Sequence, residues 1–317
     1  MMKTYQPLLL PILVVFTCAC SFAQVNDSLP VTAGSFAKVN SRENRTTTIY
    51  YNGKQRIFQL PHQFGFIRQV PYDLADIFKR SVSKNYWPWT VATAISSYGL
   101  IRLDQPIMNW IGRSSNAIDF SNKTSYRVLI HAGNTKILQY PGNGTTALYM
   151  LGQGGTSLLF AGGMWTYGKL SHDYRAVATA SDITSTFVTL AIITQAVKRI
   201  SGRESPFLAT KPGGRWRMFP SFEEFQQNTP NYDAFPSGHL ATLMATVTVL
   251  AENYPEKKWI LPVGCSVIGA CMWTMSNIGV HWVGDYPLAL AIGYLSGRVS
   301  TMHHLLKSKK VKFVYQP

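Results

Sequence analysis

Three short clusters of polar residues stand out in a chain of 317 residues that is otherwise rich in apolar side chains. The first begins with Lys198 and continues through a glycine turn to Arg203. The second is the run 235–239, Phe-Pro-Ser-Gly-His, which stands immediately before an apolar segment. The third contains His281 and, four residues later, Asp285. Lysine, arginine, serine and paired histidines are the residue types that bind anions, transfer protons and attack electrophiles.

Each cluster admits both a chemical and a structural interpretation. Ser237 and Gly238, at the start of a predicted helix, would present backbone amides that bind phosphate. An acid one helical turn after His281 would hold one imidazole nitrogen and leave the other as a nucleophile. Taken singly, the clusters are equally typical of a helix end, a plain N-cap and a packed His-Asp pair.

The elements that must position these clusters are predominantly helical. Helical spacing and apolar runs predict helices over 71–83, 87–103, 145–168, 174–197, 239–254, 259–275 and 281–306. The clusters fall near the ends of successive helices, so an antiparallel bundle would gather them at one end. The sequence therefore predicts an all-α fold, a helical bundle of about six core helices.

The N-terminal part predicts export and a small extension. Residues 1–23 have a basic start, a short apolar run and small residues before a cleavage point, which is typical of a signal peptide, although an uncleaved anchor stays an alternative. Residues 24–85 form the predicted extension. Its first part, to residue 45, is polar and predicts a flexible lead, and Asn-Gly at 52–53 between two β-prone runs predicts a hairpin over 46–58. The helical domain is predicted over 86–317.

Composition limits the classes of partner. Lys and Arg number 30 against 15 Asp and Glu, a formal charge of +15 that favours phosphate-bearing partners. No basic stretch interleaves aromatic residues, which argues against nucleic acid. The stretch 259–284 lacks charged residues, but whole-chain mean hydropathy is close to zero, so a membrane-spanning bundle and a soluble or peripheral one both stay open. Beyond the predicted signal only Cys265 and Cys271 remain, and their spacing implies no disulfide framework.

Together the clusters resemble the tripartite signature of the type 2 phosphatidic acid phosphatase and vanadium haloperoxidase superfamily. The resemblance covers about residues 198–295 and rests on the lysine with a following arginine and proline, on Pro-Ser-Gly-His and on His-x-x-x-Asp. Two positions depart from it. Ser205 and Met275 stand where the family usually carries arginine.

The resemblance implies a phosphatase without a metal or other cofactor. His281 would attack phosphorus and form a phosphohistidine, Asp285 would hold its ring, and His239 would protonate the leaving oxygen. The remaining implied roles, binding of the phosphate oxygens, fall to Lys198, Arg203, Ser237 and Gly238. The expected substrate is a phosphomonoester or pyrophosphate, with a lipid phosphate preferred.

Several alternatives remain at this stage. One is a soluble acid phosphatase of broad specificity, and another is a family member that binds phosphate or anionic lipid without turnover, which the missing arginines at 205 and 275 would suit. A haloperoxidase is disfavoured because that branch needs more cationic coordination. The expected location is periplasmic or membrane-associated, with the site outside the cytoplasm and in contact with the membrane. The oligomeric state is open.

Overall fold

The computed structural model describes residues 36–51, 54–62, 64–133 and 135–303, and the predicted signal peptide lies outside them. Within these residues the chain forms a bundle of nine α-helices with two small antiparallel sheets, which confirms the all-α prediction with its N-terminal sheet. The helices are α1 (Gly65–Ser81), α2 (Trp87–Ala117), α3 (Gly144–Leu151), α4 (Gly154–Leu170), α5 (Tyr174–Ser201), α6 (Phe222–Gln227), α7 (Gly238–Asn253), α8 (Ile260–Asn277) and α9 (Tyr286–Met302). The strands are β1 (Phe36–Ser41), β2 (Thr46–Tyr51), β3 (Lys54–Gln59), β4 (Tyr126–Ala132) and β5 (Thr135–Pro141).

Helices α7 and α9 form the centre of the bundle and approach each other closely. A side-chain carbon at Gly293 of α9 would overlap the carbonyl oxygen of Ala241, and one at Gly297 would lie 2.8 Å from the carbonyl oxygen of Ala245. Only glycine allows the two backbones to come so near. The main buried cluster, which includes Leu240 of α7 and residues of α2, α8 and α9, surrounds this contact.

Four of the predicted helices have other bounds in the structure. The helix predicted over 71–83 begins earlier, at Gly65, and the helix predicted over 87–103 continues to Ala117. The predicted helix over 145–168 is two helices, α3 and α4, interrupted at Gly152 and Gln153. The predicted helix over 281–306 begins only at Tyr286, after a 3₁₀ turn at Val283–Asp285. Pro287 lies in the first turn of α9, where its missing N–H costs no helical hydrogen bond, so the proline marks a helix start.

The N-terminal sheet contains the predicted strands and one more. Strands β2 and β3 pair antiparallel from Thr46 to Gln59, and the predicted turn residues, 52 and 53, lie outside the described residues. Strand β1 pairs with β2, so the prediction of a flexible lead is wrong from residue 36 onward. Ile49 and Phe58 are fully buried and pack with Ala178 of α5, which explains how so small a sheet is held.

A second hairpin, β4–β5, was not predicted, and the expectation that every element after the first hairpin is helical is wrong. The signal was present in the sequence. Residues 126–131 and 136–140 are rich in aromatic and branched side chains, and Gly133 between them has a φ of 58°.

Two helices, α5 and α8, are long and apolar enough to cross a membrane by length and composition. Much of α5 is buried inside the bundle, as a core helix of a soluble protein would also be. Cys265 and Cys271, both on α8, are buried and form no disulfide within the described residues.

Candidate active site

The fold brings the three polar clusters to one end of the bundle, where hydrogen bonds connect them directly. The Ser201 hydroxyl donates to the carbonyl of Phe235 at 2.9 Å, and the Ala234 amide donates to the carbonyl of Arg203 at 3.0 Å. The Ser237 amide donates to the carbonyl of Asp285 at 3.2 Å. The site is therefore assembled from the end of α5, the start of α7 and the turn before α9.

Two imidazoles face each other at the centre of this region. The ring centroids of His239 and His281 are 5.6 Å apart, with an interplanar angle of 70°. Nδ1 of His281 lies 2.8 Å from the carbonyl oxygen of Ala234. Because a carbonyl can only accept, Nδ1 carries the proton and Nε2 has a free lone pair.

Burial keeps both imidazoles neutral. It lowers the pKa of His281 to about 3, with the charge of Lys198 acting in the same direction. It also lowers the pKa of His239 to about 3, assisted by His281 and Lys198. At neutral pH the free lone pair of His281 is therefore available for attack.

Asp285 lies beside His281 but does not accept the hydrogen bond of its Nδ1–H. Its Oδ2 is 3.6 Å from Nδ1 of His281, which is an ion-pair distance but longer than a hydrogen bond. The two residues are not on one helical face, as the sequence suggested, because the segment 281–285 precedes α9. Asp285 instead accepts hydrogen bonds from the Trp282 amide at 2.8 Å and from Arg203 at 2.6 Å.

The structure places Arg203 away from the role expected for it. Its side chain is fully buried, and its two amino groups form ion pairs with Asp285 and with Asp104 of α2. A guanidinium held by two carboxylates cannot give the same donors to a phosphate, so this is a correction to the predicted phosphate-binding set. Only its Nε, which is buried, lacks a hydrogen-bond partner in the described part of the chain.

Asp104 is a site residue that the sequence analysis missed. It is fully buried, and its second oxygen accepts a hydrogen bond from the Gly284 amide at 2.7 Å. Burial raises the pKa of Asp104 and of Asp285 to about 6, while Arg203 lowers both. An acid inside an otherwise apolar helical stretch was the available signal, because a buried carboxylate needs a partner.

Lys198 reaches the start of α7. A side-chain carbon at Gly238 would lie 3.9 Å from its Nζ, so the ammonium stands beside the first amides of that helix, a place suited to an anion. The same Nζ lies 3.4 Å from Oδ2 of Asp233, which no sequence motif had indicated. Ser237 acts as the N-cap, its Oγ accepting from the Leu240 amide at 3.4 Å.

Tyr149 and Gln153 border the two imidazoles on the other side. The Tyr149 ring lies 4.9 Å from that of His239, and the phenols of Tyr149 and Tyr126 both lie close to the Gln153 side chain. Asp233 and His239 are half-buried, whereas His281 is buried, so access to the imidazoles is from the side of Asp233.

The two positions that lack arginine supply no cation. The Ser205 amide donates to the carbonyl of Pro230, and its side chain is buried. Met275 is fully buried in the main core. The arrangement thus offers a nucleophile, a second imidazole for proton transfer and one lysine for an anion.

Comparison with known proteins identifies this region. Residues 180–307 match the sequence model of the PAP2 superfamily, a span that contains all three clusters. The crystal structure of a transmembrane PAP2 type phosphatidylglycerolphosphate phosphatase from Bacillus subtilis aligns with a TM-score of 0.36 and 14% identity, over 78% of this chain and 99% of that one. No curated protein matches the chain at a significant level. The segment 180–307, which contains the two facing imidazoles, is thus similar in sequence to the PAP2 superfamily.

Proposed function

We propose that this protein is a phosphatase that needs no metal and releases phosphate from a phosphomonoester or pyrophosphate, with a lipid phosphate as the expected substrate. One observation carries the proposal. The Nδ1–H of His281 is fixed on the Ala234 carbonyl, so that Nε2 is a lone pair directed away from that bond and in reach of a second imidazole. The basic net charge and the apolar helices support a site close to a membrane, and the signal-like residues 1–23 support export from the cytoplasm.

In the first step, Nε2 of His281 attacks phosphorus and the bond to the ester oxygen breaks. The leaving oxygen takes a proton from His239. That imidazole is neutral in the empty site, but an anionic phosphate between the rings favours its protonated form and raises its pKa on binding. Asp285 favours the positive charge that develops on the His281 ring.

In the second step, water attacks the phosphohistidine and the P–N bond breaks. His239, left neutral by the first step, takes the proton of that water, and inorganic phosphate leaves. Lys198 and the first amides of α7 hold the phosphate oxygens through both steps. The use of a single histidine pair for both steps is the reason for their face-to-edge contact.

The small number of cations favours a second candidate, a protein that binds phosphate or anionic lipid without turning it over. Arg203 is neutralised by two carboxylates and Lys198 is paired with Asp233. A phosphoryl transition state needs donors on its equatorial oxygens, and this site has fewer than the resemblance implied.

The decisive measurement is phosphate release from a lipid phosphate and from p-nitrophenyl phosphate, with the wild type and three histidine variants. We expect His281→Asn to abolish release and His239→Asn to lower it by about 10²- to 10⁴-fold. Asparagine can still donate to the Ala234 carbonyl, so the fold is kept. The matched control is His172→Asn, at an exposed position with a φ of 55° that asparagine tolerates, and it should have wild-type activity.

Full activity of His281→Asn would overturn the phosphohistidine mechanism. A wild type that releases no phosphate from either substrate, yet gains thermal stability in the presence of inorganic phosphate, would establish the binding protein instead.

A further inference from the structure

The β4–β5 hairpin extends from the bundle as a sheet of only two strands. In the described part of the chain no third strand pairs with it, and its main contact is with α3 at its base. A lone hairpin of this kind is at best marginally stable in water. Another surface that covers it would remove this weakness.

The outer part of the hairpin exposes aliphatic side chains on both of its strands. Leu129 and Ile130 are 63% and 48% exposed, and Ile137 on the opposite strand is 60% exposed. The register shifts between Val128 and Ile130, an irregularity that interrupts the regular alternation of side chains along the strand. Exposed apolar surface that is not scattered singly marks a site of contact with a protein or a membrane.

The charge around the hairpin favours an anionic lipid surface. Residues 120–172 contain no Asp or Glu. Lys123 and Arg127 are exposed at the base of the hairpin, where Tyr126 and Tyr140 are also partly exposed. Leu129, Ile130 and Ile137 lie between the tyrosines and cations at the base and the tip, where His131 and Lys136 are register partners. Exposed aliphatic side chains flanked by aromatic and basic residues are typical of an element that enters the interfacial layer of a bilayer.

The hairpin is connected to the candidate site. Tyr126 at its base and Tyr149 both lie close to the Gln153 side chain, and the Tyr149 ring packs on that of His239. Helix α4 begins at the next residue, Gly154, and its first turns expose Leu159 and Phe160. The apolar surface thus continues from the hairpin along the rim of the site.

We infer that the β4–β5 hairpin is a membrane-docking element that lies in the interface of a bilayer containing anionic lipid and holds the opening of the site at the lipid surface. The consequence for catalysis rests on the proposed function, whereas the docking itself does not. The apolar side chains supply affinity by leaving water, and Lys123 and Arg127 supply the preference for negative headgroups.

The first experiment locates the hairpin relative to lipid. Leu129→Cys is labelled with an environment-sensitive fluorophore in the full chain with Cys18 and Cys20 replaced by serine, and phosphatidylcholine vesicles with or without phosphatidylglycerol carry a nitroxide on their headgroups. Val39→Cys is the matched control, because Val39 is 55% exposed on β1, in the sheet that packs at the other end of α5. We expect quenching at 129, stronger with phosphatidylglycerol, and little quenching at 39.

The second experiment separates docking from chemistry. Leu129→Asp combined with Ile137→Asp should lower hydrolysis of a vesicle-borne lipid phosphate at least about tenfold, because two charges oppose insertion. Hydrolysis of p-nitrophenyl phosphate should be unchanged, and Val39→Asp should change neither rate.

The docking proposal is overturned if the label at 129 is quenched no more than the label at 39. It is also overturned if emission at 129 follows protein concentration rather than lipid, which would make the hairpin a contact between copies of the chain. A wild type that hydrolyses neither substrate refutes the phosphatase, while the quenching still decides the docking.

Discussion

At the scale of single residues, the carboxylate of Asp233 would compete with phosphate for Lys198 if the proposed function holds. The 3.4 Å pair leaves the site with little net positive charge in the absence of substrate, and the Asp233 side chain is 29% exposed at the entrance. A dianionic phosphate must displace this carboxylate or accept its repulsion. Asp233 therefore weakens the binding of highly charged ligands.

Asp233→Asn tests this competition. It keeps the size of the side chain and removes its charge, so we expect the inhibition constant of inorganic phosphate to fall about two- to fivefold, the range for a partly exposed ion pair. Glu43→Gln, at an exposed position of the β1–β2 turn, is the control and should leave that constant unchanged. Weaker phosphate binding by Asp233→Asn would instead mean that Asp233 positions Lys198 for the ligand.

Sequence motifs predicted the chemistry of individual residues better than their partners. The neutral histidine pair and the N-cap serine follow from short patterns, because helix starts and imidazole chemistry are local. The pairing of Arg203 with Asp104 joins residues 99 positions apart, and no motif contains both. A cation that the local pattern directs to phosphate was therefore used for packing by the tertiary structure.

At the scale of elements, α2 supports the turn that carries Asp285. Asp104 accepts from the Gly284 amide and shares Arg203 with Asp285, so one helix fixes both the backbone and the charge of that turn. Burial is the largest cause of the raised pKa of Asp104, and repulsion by Asp285 on the same guanidinium raises it further. Asp104 acts through Asp285 and is a positioning residue.

Asp104→Asn should move the acid limb of the pH–rate profile. The substitution removes a nearby negative charge and leaves Asp285 as the remaining carboxylate paired with Arg203. The pKa of Asp285 therefore falls below its present value of about 6. Asp285 then stays ionised to lower pH, and we expect the acid limb to shift downward by about one pH unit. Asp119→Asn, exposed beyond the end of α2, should leave the profile in place. A lower rate with an unmoved acid limb would indicate a purely structural role for Asp104.

Helices were easier to predict than the segments between them. The spacing of apolar residues indicated where the long helices lie, because a helix that buries one face repeats apolar residues every three or four positions. The stretch 281–285 was wrongly predicted as helical because His281 and Asp285 have helical spacing, whereas Pro287 sets the real start of α9. The β4–β5 hairpin was not predicted, although the aromatic and branched side chains of 126–131 and 136–140 are typical of strands.

At the scale of the whole molecule, the α7–α9 contact holds the two halves of the site together. His239 lies at the start of α7 and Asp285 directly precedes α9, so the spacing of these helices sets the distance between their side chains. The contact depends on Gly293 and Gly297, which leave no space for a methyl group.

Gly293→Ala should destabilise the protein and weaken its activity together. The added carbon overlaps the Ala241 carbonyl, and we expect a loss of about 1–3 kcal/mol in the free energy of unfolding, measured by chemical denaturation. Gly99→Ala is the matched control in helix α2, where no atom lies within 4 Å of the added carbon, and it should be more stable by about 0.5–1 kcal/mol. Equal stabilities of the two variants would contradict close packing of α7 on α9.

The buried pairing of Asp104 with Arg203 also bears on how this protein can be divided. Asp104 precedes residue 180, so a fragment limited to the family-matched span would carry the guanidinium without one of its two counter-charges. In such a fragment the Gly284 amide would also lose the hydrogen bond that it donates to Asp104. Any chimera or minimal version of the protein must therefore include helix α2, although this helix lies outside the span that matches the family.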